Sequence, residues 1–255
     1  MESATKFLVL HNLCCMYFNA MGILNKFDEF KVMVADHKPD IIGISESHLT
    51  STIPDSMVCL TGYQLYRSDR TARGNGGVAL YIKCSIPSFQ KCAPKDPDGE
   101  WESLWCSISL TKPGSILVGC VYRIPSSHYP NHWLSLHSTL SNMLAPTSNA
   151  LSLCIGDFNF PSIDWASAIS LDPAHSASSE FLDILKEHNL IQHVSNPTRH
   201  RVGQRSSLLD LIIASPSLTV SPITHSNPMG KSDHDTLFFS VCVEYSSKLS
   251  NTVQA

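Results

Sequence analysis

Leu151-Ser-Leu-Cys-Ile-Gly-Asp-Phe-Asn159 is an apolar run of strand length that stops on a glycine, an acid and an amide. The same shape recurs. Asp40-Ile-Ile-Gly-Ile-Ser45 runs into Glu46, and Ile116-Leu-Val-Gly-Cys-Val121 into Tyr122-Arg123. Near the C-terminus the order is reversed: Ser232-Asp233-His234 comes just before an apolar run. Buried strands whose ends carry acids, amides, Tyr and His gather those side chains at one rim, where a rigid scaffold holds them better than loops do. A carboxylate directly after an apolar run is costly unless it is solvated, paired or bound to a cation.

Working outward, apolar runs at residues 14–18, 40–45, 78–83, 104–110, 116–122, 151–155, 209–214 and 237–243 read as strands. Three stretches have helical spacing: Leu24, Phe27, Lys31 and Val34; Trp133, Leu136, Leu140 and Met143; and Phe181, Leu182 and Leu185. Many short strands with few helices predict an α+β or layered α/β protein built on a β-sandwich. No internal repeat or linker interrupts the chain. The expectation is one domain over residues 1–245 and a polar tail over 246–255.

Composition narrows the class. The 255 residues are 43% hydrophobic and 16% charged, enough for a sizeable core and unlike a disordered chain. No apolar run approaches the roughly 18 residues that span a bilayer, and the first ten residues lack the pattern of a signal peptide. A soluble intracellular protein without membrane partners is expected. The nine cysteines are odd in number and form no CxxC pair; Cys106, Cys120 and Cys154 lie in strand-like runs and read as small hydrophobes. The net charge of −4 is low for a protein that contacts phosphates. Two local basic groups offset it: Arg67, Arg70 and Arg73, and Arg199, Arg201 and Arg205. Either group reads as DNA contact or as a solvated loop.

Each chemical element has a plain reading by itself. Glu46 suits a cap or a loop, Gly156-Asp157-Phe158-Asn159 suits a turn, Asp233 suits a cap, and His234 suits a structural role. Their joint occurrence, in this order at strand ends, points to a site.

The set resembles the endonuclease/exonuclease/phosphatase superfamily from about residue 15 to residue 243. The residues that carry the resemblance are an Asn at the end of the first strand, best fitted by Asn19; Glu46 in Ser45-Glu46-Ser47-His48-Leu49; Tyr122; Gly156-Asp157-Phe158-Asn159; Asp210 in Ser207-Leu-Leu-Asp210; and Ser232-Asp233-His234. Within the superfamily the sequence is similar to the chicken-repeat type of LINE (non-LTR) retrotransposon endonucleases. That likeness rests on Gly62-Tyr-Gln-Leu-Tyr-Arg67, Arg73-Gly-Asn-Gly-Gly-Val-Ala-Leu-Tyr81, Glu102-Ser-Leu-Trp105, the stretch from Asp157 to Trp165, and Asn196-Pro-Thr-Arg199. The resemblance implies a DNase I-like, four-layered αββα sandwich of two packed β-sheets flanked by helices. Three stretches depart from the pattern: Ala20-Met21-Gly22 stands for Ala-Arg-Ser, Glu46-Ser47-His48 for Glu-Thr-Trp, and Tyr122-Arg123-Ile124-Pro125 for Tyr-Arg-Pro-Pro.

What the resemblance implies chemically is metal-dependent hydrolysis of DNA, one strand at a time. Mg²⁺ or Mn²⁺ would polarise the phosphoryl oxygen, held by Glu46 with Asp233 as a second contributor. Asp157 would activate or position the attacking water and Asn159 would keep that geometry. His234 would stabilise charge on the scissile phosphate, oriented by Asp210. Tyr122 and Asn19 would donate to phosphate oxygens, and Ser207 reads either as a phosphate contact or as a loop serine. DNA is the implied partner, in the nucleus, with a reverse transcriptase domain not contained in this chain. The alternatives are a phosphoesterase of the same fold acting on another substrate, and an inactive binding module adopted by a host. The first asparagine has a rival as well. Asn12 follows the apolar Phe7-Leu-Val-Leu10, whereas Asn19 immediately precedes the helix that leads to Glu46, which favours Asn19.

Overall fold

The computed structural model describes residues 7–70, 75–94, 96, 101–109, 114–125, 132–145 and 150–246. In chain order these form β1 (Phe7–Asn19), a 3-10 turn at Leu24–Lys26, α1 (Phe27–His37), β2 (Ile41–Ser45), β3 (Tyr63–Ser68), β4 (Val78–Lys83), β5 (Ser88–Lys91), β6 (Trp101–Ser109) and β7 (Ser115–Arg123). Then follow α2 (His132–Leu144), β8 (Ala150–Asp157), β9 (Ile163–Asp164), β10 (Ile169–Ser170), α3 (Ala177–Glu187), β11 (Ile191–Gln192), β12 (Asp210–Ala214), β13 (Leu218–Val220), β14 (Thr224–Ser226) and β15 (Thr236–Ser246).

Two mixed sheets dominate. One runs β13-β15-β1-β2-β4-β3, with β14 also paired to β15; the other runs β11-β12-β8-β7-β6-β5. Each sheet has a parallel pair at its centre, β1 with β2 and β7 with β8. A helix makes the crossover in each case, as parallel neighbours require: α1 joins the first pair and α2 the second.

The buried side chains sort into three layers. Tyr17, Ile41 and Val241 of the first sheet meet Leu104, Val118, Ile155 and Ile212 of the second between the sheets. Phe30 and Val34, one helical turn apart on α1, close the outer face of the first sheet with Phe18, Ile42 and Tyr81. Leu136 and Leu140 of α2, with Phe181 and Leu185 of α3, cover the other outer face against Trp105, Cys154 and Ile213. This is the expected αββα sandwich. Cys106, Cys120 and Cys154 are buried in it, and burial pushes their thiols up, Cys106 to about 12. Among the described residues no helix is long and apolar enough to cross a membrane.

All eight expected strands and all three helices are present. β1 differs most from its expected extent. It begins at Phe7 rather than at residue 14, because the antiparallel ladder to β15 continues past an irregularity between Val9 and His11. Asn12 and Cys14 are exposed along it, and such interruptions conceal a strand from any search for apolar runs. β3 and β5 carry few fully buried residues. They are edge strands, where the polar residues that blunt an edge also remove the period-2 signal. Of the expected tail, Ser246 closes β15, and 247–255 lie outside the described residues, as do Arg73 and Gly74.

Candidate active site

The C-terminal ends of the two central parallel pairs face the same place. In the first sheet, Asn19 ends β1 beside Ser45 at the end of β2, and Glu46 follows. In the second, Tyr122 of β7 is in register with Asp157 of β8, and Asp157 is in register with Asp210 of β12. The approach of β8 to β7 depends on Gly156. At φ +159 it sits against the neighbouring backbone, and a Cβ there would lie 2.0 Å from the Val121 carbonyl oxygen. The glycine thereby sets Asp157 at its distance from Tyr122.

Asn19 is fully buried and its amide is saturated. Its Nδ2 donates to Glu46 Oε1 at 2.8 Å and to Asp157 Oδ2 at 3.0 Å, while its Oδ1 accepts from the Met21 amide at 3.1 Å. Both amide hydrogens are directed at carboxylates, which leaves none for a phosphate oxygen as the sequence had suggested. Asn19 is instead a strut between the acids of the two sheets. Asn12, its rival, pairs with Cys242 in the middle of β1 and is exposed, away from this cluster.

Facing the strut is a buried chain of polar groups. The Tyr17 hydroxyl donates to Asp210 Oδ1 at 2.8 Å and shares a 2.7 Å hydrogen bond with Ser45 Oγ. Asp210 Oδ2 lies 2.7 Å from His234 Nδ1. His234 Nε2 then points to the remaining acids, 3.9 Å from Asp157 Oδ2 and 3.7 Å from Asp233 Oδ1. Ser232 locks the segment in place: its Oγ donates to the Asn19 carbonyl at 2.8 Å and accepts from the His234 amide at 3.2 Å. Asp157, Asp210 and His234 lie close enough to suggest a metal cluster. The hydrogen bonds argue against one, since Asp210 already serves Tyr17 and His234 and has no path to solvent.

Electrostatics separates the members. Burial opposes charge on His234, but Asp210 outweighs it through charge and hydrogen bond, with help from Asp157 and Asp233. The imidazole is pushed up to about 10 and is cationic at neutral pH. Burial, then the Asp210 charge, raises the Asp157 carboxyl well above the ordinary range. Burial acts in the same direction on Glu46, yet hydrogen bonds from His48 and Asn19 bring it below its usual value. The Tyr122 hydroxyl is raised by burial and then by Glu46 and Asp157, so it stays protonated.

Asn159, at φ 50, turns its side chain to the Arg123 carbonyl at 2.6 Å, while its amide donates to Asp157 Oδ1 at 3.2 Å. It holds Asp157 through the backbone. Arg123 supports the same turn from below, donating to the Asn159 carbonyl at 2.9 Å with its guanidinium over Phe160. Asp233 is half-buried and accepts from Arg199 Nε at 3.0 Å. Ser207 is bridged to Arg199 and borders a neighbouring depression with Trp165 and Arg205.

The basic groups divide. Arg67 is committed to Asp55 and Asp69. Arg70 is buried in an ion pair with Glu102 and covers the Tyr122 ring, 5.4 Å from its centroid. Arg201 and Arg205 stand exposed. Sequence reading missed Tyr17, Arg70 and Glu102 as neighbours of the site. Tyr17 and Asn19 share one face of β1 by the strand period, and Glu102 is the one charged residue of β6; both were readable signals.

Comparisons with known proteins agree with this geometry. The family described as endonuclease-reverse transcriptase matches residues 116–238, from β7 into β15. No curated protein is similar to the chain. Among solved structures, the chain is similar to the endonuclease domain of TRAS1, a telomere-specific non-LTR retrotransposon, at TM-score 0.66 and 15% identity, over 91% of this chain and 98% of that one. It is similar to the AP endonuclease LMAP from Leishmania major at 0.67 and 14%, over 92% and 88%. An AP endonuclease from Archaeoglobus fulgidus gives 0.65 and 15%, over 89% and 98%. In fold, and by the family match over residues 116–238, the chain is similar to proteins of the endonuclease/exonuclease/phosphatase superfamily, LINE-type endonucleases among them.

Proposed function

We propose that this chain is a divalent-cation-dependent phosphodiesterase that nicks one strand of DNA, with residues 1–245 acting as one unit. The observation that carries the reading is the buried line Tyr17–Asp210–His234, which aims a cationic imidazole at the same point as Asp157 and the neighbourhood of Glu46.

The donor set fits Mg²⁺ or Mn²⁺. Such ions take oxygen ligands, need only one or two protein carboxylates and keep several waters. Glu46 offers Oε2 while Asn19 holds Oε1, and half-buried Asp233 is the second contributor. A cation held there supplies a Lewis acid for the phosphoryl oxygen and the leaving 3′-oxygen.

The chain's own residues do the rest. Asp157, fixed by Asn19 and by the Asn159 amide, orients the attacking water and receives its proton; the raised carboxyl suits a proton acceptor. His234 donates from Nε2 to a phosphate oxygen and stabilises the charge that builds there. Asp210 keeps the imidazole cationic and correctly turned. Tyr122, protonated and braced by Arg70, donates its hydroxyl to phosphate. In a longer protein the freed 3′-hydroxyl would serve a reverse transcriptase domain as primer, with the nucleus as the place of action.

The test is nicking of supercoiled plasmid with Mg²⁺, with Mn²⁺ and in excess chelator. Open circles should precede linear product, and activity should vanish in chelator. Undiminished hydrolysis in chelator would overturn the reading. Cleavage of abasic DNA or free nucleotides in preference to plasmid would move it to another substrate.

A further inference from the structure

We propose that His48 is a nitrogen ligand of the divalent cation, beside Glu46, and that the site therefore favours Mn²⁺ over Mg²⁺. The inference rests on the cation dependence proposed above and adds a residue and a preference to it.

The geometry begins in the backbone. Glu46 and His48 both have left-handed φ, 47° and 52°, which non-glycine residues adopt at a cost. The segment is clamped into that shape from both sides. The Gly22 and Ile23 amides donate to the Glu46 and Ser47 carbonyls at 2.8 and 3.1 Å. On the other side, the Ser47 and His48 amides donate to the Gly77 and Gly76 carbonyls at 3.0 and 2.8 Å. Backbone strain that the surroundings over-determine collects at functional sites. Here it turns two side chains, two residues apart, toward each other.

Glu46 Oε2 and His48 Nε2 are 3.3 Å apart. Charge-assisted hydrogen bonds to a carboxylate are shorter, roughly 2.7–2.9 Å. Neighbouring donors on a six-coordinate ion with roughly 2.1 Å bonds stand about 3.0 Å apart. The gap is therefore long for a strong hydrogen bond and close to the spacing of two adjacent ligands. Glu46 Oε1 is held by Asn19, so the oxygen facing His48, which has only the long contact to that imidazole, is the one open to a cation. The imidazole keeps 26% of its side-chain surface exposed and Glu46 18%, enough for an ion to enter. Gly22 makes room for the ring: a Cβ there would stand 3.1 Å from His48 Nδ1. Two of the departures from the LINE pattern, Gly22 and His48, are thus in contact. An imidazole in place of an oxygen ligand favours a transition-metal ion over Mg²⁺.

The experiment is Mn²⁺ titration followed by electron paramagnetic resonance, with electron spin-echo envelope modulation to detect nitrogen bound to the ion. It is run on the wild-type chain, His48→Gln, His48→Asp and His234→Gln, each checked for folding by circular dichroism. Wild type should bind Mn²⁺ with nitrogen modulation, and His234→Gln should keep the modulation. His48→Gln should lose it and weaken Mn²⁺ binding roughly 10–100-fold, while Mg²⁺ binding, read by competition, weakens less. His48→Asp should regain affinity without nitrogen modulation. Tight Mn²⁺ binding without modulation, or modulation that survives in His48→Gln, overturns the ligand and leaves the phosphodiesterase reading in place. Failure of the wild type to bind Mn²⁺ or Mg²⁺ at millimolar concentration sinks both.

Discussion

Asp210 and Glu46 are acids on opposite walls of one site, and their surroundings differ sharply. Asp210 is fully buried, and its two oxygens are taken by Tyr17 and His234. Glu46 gives one oxygen to Asn19 and keeps the other at a half-open edge. The Asp210 wall is closed to solvent, and the Glu46 wall is partly open to it. Fixed dipoles stabilise a transition state best where they need not reorganise, whereas a cation that must enter and leave needs exposed ligands. Asn19 joins the walls, so a change in either reaches the other through one amide.

Loss of the fixed donor should be the most damaging change. His234→Ala should lower single-turnover nicking by roughly 10² or more, and added metal should not restore it. Recovery at high Mg²⁺ or Mn²⁺ would show that the walls are not distinct. Glu46→Gln should behave in the opposite manner: the metal concentration for half-maximal rate should rise roughly 10–100-fold, with much of the rate regained at saturation. A metal titration curve unmoved by this substitution would remove Glu46 from the cation site.

Asp210→Asn should cost less than loss of the imidazole, roughly 10-fold in rate, since the ring remains and only its charge and orientation suffer. Its pH signature is more telling. His234 is raised in the folded state, so the stability from its pairing is full below its unfolded value near 6.5 and fades as pH climbs through about 10. With an amide at position 210 the imidazole should lose its proton earlier, shifting the alkaline limb of the rate profile to lower pH. An unchanged limb would assign that limb to another group.

On stability, one substitution should bring a small gain. Asp157 is a buried carboxyl raised by burial and by Asp210, so its ionisation opposes folding above the ordinary carboxylate range. Asp157→Asn should abolish nicking and yet stabilise the protein by roughly 0.5–2 kcal/mol at neutral pH. The stabilisation should shrink as pH falls toward 4, where the carboxyl is protonated in both states. A lower melting temperature at pH 7 would mean that the Asn19 and His234 contacts outweigh the strain.

Much of the fold was legible because its central strands are buried on both faces and read as unbroken apolar runs. The polar residues beside them announced the rim: Glu46 follows such a run, Asp157 ends one and His234 precedes one. Edge strands were less visible, since β3 and β5 alternate weakly and carry charge. Side-chain direction was not legible at all. A spacing argument brings Asn19 to the site, but only the fold shows its amide turned to two carboxylates rather than outward. The basic groups show the same limit: Arg67 and Arg70 look like a patch in sequence and are committed to acids in space.

The longest pairing in the first sheet, β1 with β15, brings Asn19 beside the Ser232-Asp233-His234 turn across a sequence separation of 213 residues. Closing a loop of that length has a large entropy cost before any contact repays it, and distant pairings of this kind fold slowly. During synthesis the Asn19–Glu46 corner can form early, but His234 joins it only once β15 has emerged to pair with β1. Nascent chains that end before Ser232 therefore carry Glu46 and Asp157 but neither Asp233 nor His234. If the proposed activity holds, a chain competent to nick DNA exists only once β15 has paired with β1.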